Sequence, residues 1–212
     1  MKTQMSRFIA RASMLTTLVC AASAFAQSSE VTVTAGSPAL PNVTFLGSGC
    51  PAASGADVHW EGASLVVSFG EMTAEKGQGV SLVLSRKNCA ITLDLKTPKG
   101  LSYALAAYSA TGYDDLADKD TRNVTLSNFF QGDGDTGTSS SEAVGPVADD
   151  FKVKHFNTLS TLLWSPCNVQ RAQTFNAAIR IANGGDRAAS STTTLDNLRL
   201  YFIIKPCSTV LR

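Results

Sequence analysis

At 212 residues, with 18 basic and 17 acidic side chains and a formal net charge of +1, the chain has no charge excess for gripping nucleic acid or an anionic lipid surface. Its length suits one domain, and no apolar run is long enough for a transmembrane helix.

Lys2, Arg7 and Arg11 make a basic start with no acidic residue before Glu30, and an apolar run from Met14 to Ala22 follows. Ala24-Phe25-Ala26 then sets small residues where a signal peptidase reads, so residues 1–26 are expected to be a signal peptide cleaved after Ala26. Val19, not a small residue, precedes Cys20, which argues against lipid attachment there. Losing Lys2, Arg7 and Arg11 leaves 15 basic against 17 acidic residues, a net of −2, over residues 27–212. The expected location is secreted or periplasmic, with no membrane insertion after signal removal and no nucleic-acid partner.

Four cysteines remain in that stretch: Cys50, Cys89, Cys167 and Cys207. An even number in an exported chain, with no Cys-x-x-Cys pair and only His59 and His155 as further ligands, favours two disulfides over a zinc site. Three connectivities are open. Cys50 with Cys89 and Cys167 with Cys207 is favoured, because each closes a loop of similar length within one half of the chain. Such a loop stabilises by roughly 3 to 4 kcal/mol, against a typical total of about 5 to 15.

Strand signals follow one another. Glu30 to Ala35 alternates through Val31 and Val33, and Val43 to Leu46 leads into Gly47-Ser48-Gly49-Cys50-Pro51. Leu65, Val67 and Phe69 share one side of a short run. Val80 to Leu84 is a further apolar run, separated by a polar turn or bulge at Ser85-Arg86-Lys87-Asn88 from the best pattern in the chain, in which Cys89, Ile91, Leu93 and Leu95 share one parity. Pro98-Lys99-Gly100 reads as a turn before Leu101, Tyr103 and Leu105 in period two. Val124 and Leu126 alternate ahead of Phe129-Phe130. Phe175, Ala177, Ile179 and Ile181 share a face, as do Leu198, Leu200, Phe202 and Ile204. Apolar residues nowhere recur at helical spacing between caps. Many short strands with Gly, Ser and Thr between them predict an all-β fold, a single antiparallel β-sandwich of jelly-roll type with two disulfides over residues 27–212. Residues 131–146, rich in Gly, Ser and Asp, are expected to form a polar mobile loop.

Three cysteine-centred signatures, Gly47-Ser48-Gly49-Cys50-Pro51, Ser85-Arg86-Lys87-Asn88-Cys89 and Trp164-Ser165-Pro166-Cys167, with Cys207 near the C-terminus, resemble the secreted four-cysteine family catalogued as domain of unknown function 4360. Pro98 to Gly100 before an aromatic strand, and Phe129-Phe130 with Gly132, are similar to that family's pattern as well. The tail departs from it, since five residues follow Cys207. The resemblance implies export, one β-rich domain and paired cysteines at these four positions. It supplies no catalytic residue.

Motifs with chemistry are sparse. Asp135-Thr136-Gly137 matches the aspartic-protease triplet, but Gly132-Asp133-Gly134 precedes it where an apolar strand belongs, and no second triplet exists. Asp133 and Asp135 sit at alternate positions as calcium ligands do, yet Thr138 and Val144 occupy the sixth and twelfth positions of an EF-hand loop counted from Asp133, so that template fails. Another calcium geometry drawing on Glu142, Asp149 or Asp150 stays open, and no other cofactor is expected. Pairs among Asp57, Glu61, Asp94, Asp114, Asp115, Asp149 and Asp150 are the raw material of a glycosidase only if two face each other across a cleft. His59-Trp60-Glu61 offers a ligand contact at His59 and Trp60, weighed against an indole buried in the core. Trp164, three residues before Cys167, fits packing on a disulfide. Asn42-Val43-Thr44 and Asn123-Val124-Thr125 match the glycosylation pattern. The reading that results is a non-catalytic extracellular module that binds a glycan, a cell-wall polymer or a protein. A secreted carboxylate hydrolase and a structural coat or matrix component are the alternatives.

Overall fold

The computed structural model describes residues 43–51 and 56–207; the expected signal peptide at 1–26 and the alternating stretch at 30–35 lie outside them. Among the described residues twelve strands form two sheets. The first is ordered β1 (Thr44–Leu46), β5 (Arg86–Leu93), β10 (Gln173–Ala182), β7 (Thr121–Phe130) and β8 (Gly137–Val144). The second is ordered β2 (Asp57–Glu61), β3 (Ser64–Ser68), β12 (Asn197–Pro206), β6 (Leu101–Leu116), β11 (Ser191–Thr194) and β4 (Thr73–Lys76), with β9 (Val147–Phe156) paired to the other edge of β6. Every pairing is antiparallel.

Alternation builds the core. In β7 the burial pattern is strictly two-periodic, with Arg122, Val124, Leu126, Asn128 and Phe130 turned inward. Its neighbours contribute Phe175, Ala177, Ile179 and Ile181 from β10 and Cys89, Ile91 and Leu93 from β5. The second sheet answers with Leu65 and Val67, Leu198 and Leu200, and Tyr103, Leu105, Tyr108 and Ala110, all in the same cluster. The two inner faces therefore bury one another, and the fold is an antiparallel β-sandwich. Trp60, Tyr103, Phe175 and Phe202 meet edge to face at one end, with ring centroids 5.9 to 6.3 Å apart around Phe202.

Two disulfides tie the chain, Cys50 to Cys89 and Cys167 to Cys207, across sequence separations of 39 and 40. Gly47 explains the glycines ahead of Cys50: its φ is +149°, and a Cβ there would lie 2.1 Å from the Asn88 carbonyl oxygen. Only a bare backbone lets this segment lie against β5 while Gly49 N–H donates to the Asn88 carbonyl at 2.9 Å.

Three local expectations are corrected. The apolar run at Val80 to Leu84 is not a strand; Leu82–Ser85 is a 3-10 turn with Leu82 86% exposed, and the polar Arg86-Lys87-Asn88 opens β5. Three consecutive apolar residues satisfy neither face of a strand, whereas Arg86 and Asn88 take the outward parity that Cys89 and Ile91 define. Residues 131–146 are not a loop throughout: 137–144 form strand β8, paired with β7 from Asn128↔Gly137 to Thr121↔Val144. β8 is an edge strand, half open to water, so serine and threonine suit it where a central strand would need apolar residues. Ile204 follows a β-bulge between Tyr201 and Phe202 and is 46% exposed, so it does not share the burial of Leu198 and Leu200.

The other end of the sandwich is polar inside. Asp114, buried, accepts from Arg122 Nε at 3.0 and 3.3 Å and from Thr193 Oγ1 at 2.6 Å, while the Arg122 guanidinium sits 4.1 Å over the Phe151 ring. Asp120, fully buried, accepts from Lys76 Nζ and Ser191 Oγ, both at 2.5 Å, and from Gly184 N–H at 3.2 Å. Burial pushes the Asp120 carboxyl upward, but the hydrogen bonds from Lys76, Ser191 and Gly184 together with the Lys76 charge outweigh it and hold the pKa below the ordinary value.

Two outcomes follow. Gly112 lies where β6 changes partner from β12 to β11, and a Cβ there would lie 2.0 Å from the Thr194 carbonyl oxygen and 2.8 Å from the Phe151 ring. Gly112→Ala is expected to cost about 1 to 3 kcal/mol in urea unfolding; an unchanged midpoint would show that this fork is loosely packed. Because the Asp120 pKa is lowered on folding, the stability it carries is complete above the ordinary carboxyl value of 3.8 and is lost as pH falls from there through the folded-state value. Asp120→Asn leaves Lys76 buried without its counter-charge and is expected to cost about 3 kcal/mol or more at pH 7, with a flatter fall in stability below pH 4 than the parent shows.

Candidate functional site

The outward faces of the two sheets differ in how their polar groups are used. On the second sheet Arg199 donates to Glu61 and, at 2.8 Å, to Ser64 Oγ; His59 Nδ1 lies 2.9 Å from Asp57 Oδ2; and the Lys205 ammonium sits 3.8 Å over the Trp164 ring. These charges are engaged within the protein itself.

The first sheet carries a shallow open depression of about 610 Å³ on its outward face. Register explains its shape. One cross-strand row runs Arg86, Arg180, Asn123, Glu142 over β5, β10, β7 and β8. The next runs Asn88, Ala178, Thr125, Ser140. Directly opposed residues of an antiparallel pair point the same way. Ala178 and Ala182 are the floor, since methyl groups stand barely above the sheet, and Arg86, Asn88, Arg180, Asn123 and Glu142 rise around it. Asn123 Oδ1 accepts from Thr125 Oγ1 at 2.7 Å, which fixes its amide. Arg86, Arg180, Asn88 and Glu142 are exposed. Among the described residues Glu142 is the one carboxylate lining the depression, which therefore shows no facing pair for acid/base hydrolysis.

The residues singled out from sequence are scattered. His59 and Trp60 do not form a joint contact surface: neighbours on β2 face opposite ways, so His59 stands in solvent while Trp60 packs against Phe202 in the core. Asp133 and Asp135 lie on the exposed turn between β7 and β8, and no group of three His, Cys, Asp or Glu side chains able to hold a metal occurs among the described residues. Asp135-Thr136-Gly137 leads into an edge strand, away from any second aspartate triplet. Trp164 bridges to Ala104 beside β6, under Lys205. His155 stacks on Tyr108 at 5.5 Å between ring centroids, and Ser139 Oγ donates to the Tyr108 hydroxyl at 3.1 Å. Asp114 of the acidic candidates is taken up by Arg122.

Sequence reasoning passed over Arg86, Arg180, Asn123 and Glu142 as a group. The available signal was parity: Arg180 interrupts the outward series Ala178, Arg180, Ala182, and Arg86 shares the outward side of Asn88. Which strands adjoin was not readable, and without it the two arginines stand 94 positions apart in the chain.

Among the described residues no helix is long and apolar enough to cross a membrane. A curated relative from Arthroderma benhamiae, an uncharacterized secreted protein, is 26% identical over 164 residues; the match covers 77% of this chain and only 66% of that protein's length. With two disulfides, which persist in oxidising compartments, and a secreted relative, the protein is extracytoplasmic. Among solved structures, similar ones include TmCBM61 in complex with β-1,4-galactotriose, at TM-score 0.35 and 10% identity over 79% of this chain and 92% of that one. Another is the family 11 carbohydrate-binding module from Clostridium thermocellum in complex with a β-1,3-1,4-mixed-linked tetrasaccharide, at TM-score 0.25 and 12% identity over 77% and 90%. Likeness this shallow fixes no ligand, and the fold stands on the strand registers described above. The model for Domain of unknown function (DUF4360) matches residues 37–204, and the chain belongs to that family.

Proposed function

We propose that the protein is a non-catalytic extracellular binding module whose ligand, a hydrophilic polymer of the glycan type, lies along the outward face of the five-stranded sheet. The observation that carries this reading is the alanine-floored depression of about 610 Å³, ringed by arginine, asparagine and glutamate side chains. Its floor is made of outward residues of the central strand β10, so the surface is pre-formed and binding costs little reorganisation. Amide and hydroxyl groups spaced by the strands offer donors and acceptors to a chain of hydroxyls, while Ile179, the one large apolar residue of the lining, is buried in the core and offers no seat to a hydrophobic peptide or an acyl chain. A single carboxylate there supports recognition in preference to hydrolysis.

Binding is tested by titrating the oxidised protein with soluble polysaccharides and by co-sedimentation with insoluble ones. Ala178→Trp, which raises an indole from the floor, is expected to weaken binding at least tenfold while leaving the unfolding midpoint unchanged, because position 178 faces outward. Lys154→Gln, on β9 of the other sheet, is expected to leave binding intact. Release of reducing ends during the incubation would favour a hydrolase, and absence of binding to every polysaccharide would overturn the reading.

A further inference from the structure

We infer that this face selects anionic glycans, with a carboxylate or sulfate group of the polymer held between Arg86 and Arg180. The inference rests on the proposal that the depression is the binding face, and names the chemical class it takes.

Three observations lead there. First, Arg86 and Arg180 are direct cross-strand partners, so their Cβ atoms stand about 5 Å apart on the same side of the sheet. Like charges placed so are destabilising, and most sequences would avoid the arrangement. Second, neither arginine is compensated. Lys76, Arg122 and Arg199 each have an acidic partner within the protein, whereas no ion pair involves Arg86 or Arg180 among the described residues. Glu142 shares their row but stands beyond Asn123, two strand spacings or about 10 Å along the sheet from Arg180, and among the described residues it forms no ion pair with either guanidinium. Third, both residues line the same depression, beside Asn88 and Asn123.

Two planar guanidinium forks on adjacent strands, both lining one depression, suit an anion with two or more oxygens in one plane or cone, which each fork can grip bidentately. The anion relieves the repulsion between the arginines, so part of the binding free energy comes from a cost already built into the free protein. The row also has polarity: positive over β5 and β10, negative at Glu142 on β8. A polyanion with no hydroxyl groups to offer meets Glu142 unfavourably. A glycan that carries an anion beside free hydroxyls meets the arginines with the first and Asn123 and Glu142 with the second. Nucleic acid, which demands an extended basic surface, fits neither that polarity nor a net charge of +1 for the whole chain.

The test measures affinity of the oxidised full-length protein for polygalacturonate, dextran sulfate, unmodified dextran and duplex DNA at two salt concentrations. The expected result is binding to polygalacturonate or dextran sulfate, whichever responds identifying the anion, with weaker binding at higher salt and none to dextran. Arg86→Gln and Arg180→Gln are each expected to lower that affinity about tenfold or more, while the thermal midpoint stays level or rises as the cross-strand repulsion is removed. A merely structural role for the arginines would lower the midpoint and spare the affinity. Equal binding to dextran, with no effect of either arginine variant but loss in Ala178→Trp, overturns the anion and leaves the binding face standing. Binding that survives all three variants, or no binding to any polymer, overturns both. DNA bound as tightly as either polysaccharide, with the same arginine dependence, overturns glycan selection in favour of a general anion site.

Discussion

The hydrogen-bonding of β6 is the constraint from which the rest of the sandwich follows. Its sixteen residues bond β12 from Leu101 to Thr111, β9 from Ala107 to Leu116, and β11 at Asp114 and Asp115. A strand has two edges, so three partners require that one of them leave partway. The exchange happens at Gly112, where Asp196 N–H donates to the Thr111 carbonyl at 2.8 Å and Tyr113 N–H donates to Thr194 Oγ1 at 3.1 Å. Parity then runs on unbroken from Tyr108 through Ala110 and Gly112 to Asp114, delivering a carboxylate into the interior. Arg122 and Thr193 make that placement tolerable, and Lys76 and Ser191 do the same for Asp120 nearby; a carboxylate buried without them would cost several kcal/mol.

On the opposite layer β10 does the equivalent work with a different division between its faces. Phe175, Ala177, Ile179 and Ile181 face the core, while Asn176, Ala178, Arg180 and Ala182 face out. Bulk goes inward and short side chains outward, so the outer surface stays low in its centre and the flanking strands supply the relief. β7 behaves alike, with Val124 and Leu126 inside and Asn123 and Thr125 outside. The depression is thus a product of strand alternation on four adjacent strands, and needs no long loop to form it.

How much of this was legible is a matter of which signals are local. Cys89 to Leu95, Val124 to Leu126 and Phe175 to Ile181 declare their strands because one face is apolar and the other is not, and the all-β sandwich follows from counting such runs. β8 was hidden: Ser139, Ser140 and Ser141 carry no hydrophobic contrast, since an edge strand half open to water has little reason to show any, whereas the alternation Phe151, Lys152, Val153, Lys154 of β9 was legible and passed over. Leu82 to Leu84 misled in the other direction, because apolar content without alternation carries no information about a face. Trp60 was placed beside His59 by sequence and separated from it by the pleat. The arginine pair is the extreme case. Residues 86 and 180 become neighbours only through the β5–β10 register, a long-range fact that no local pattern encodes.

Some charges of this chain are satisfied internally, others such as Lys152 and Lys154 stand exposed without an ion pair among the described residues, and one directly opposed pair of like charges stands apart from both. Asp114, Asp120, Lys76 and Arg122 are buried and mutually paired, so they fix the register at one end of the sandwich. Arg199, Lys205 and His59 are at the surface but engaged with Glu61, Trp164 and Asp57. Exposed pairs of that kind add little stability, yet they leave no unmet demand for a counter-ion. Arg86 and Arg180 fit neither class. They oppose each other on well-formed central strands, where a threonine pair would serve the sheet better, as Thr92 and Thr174 do further along the same two strands with hydroxyls 2.9 Å apart. Under the proposed binding, a sheet that places a hydrogen-bonded threonine pair at one end of a strand pair and two uncompensated guanidinium groups at the other accepts negative charge from outside.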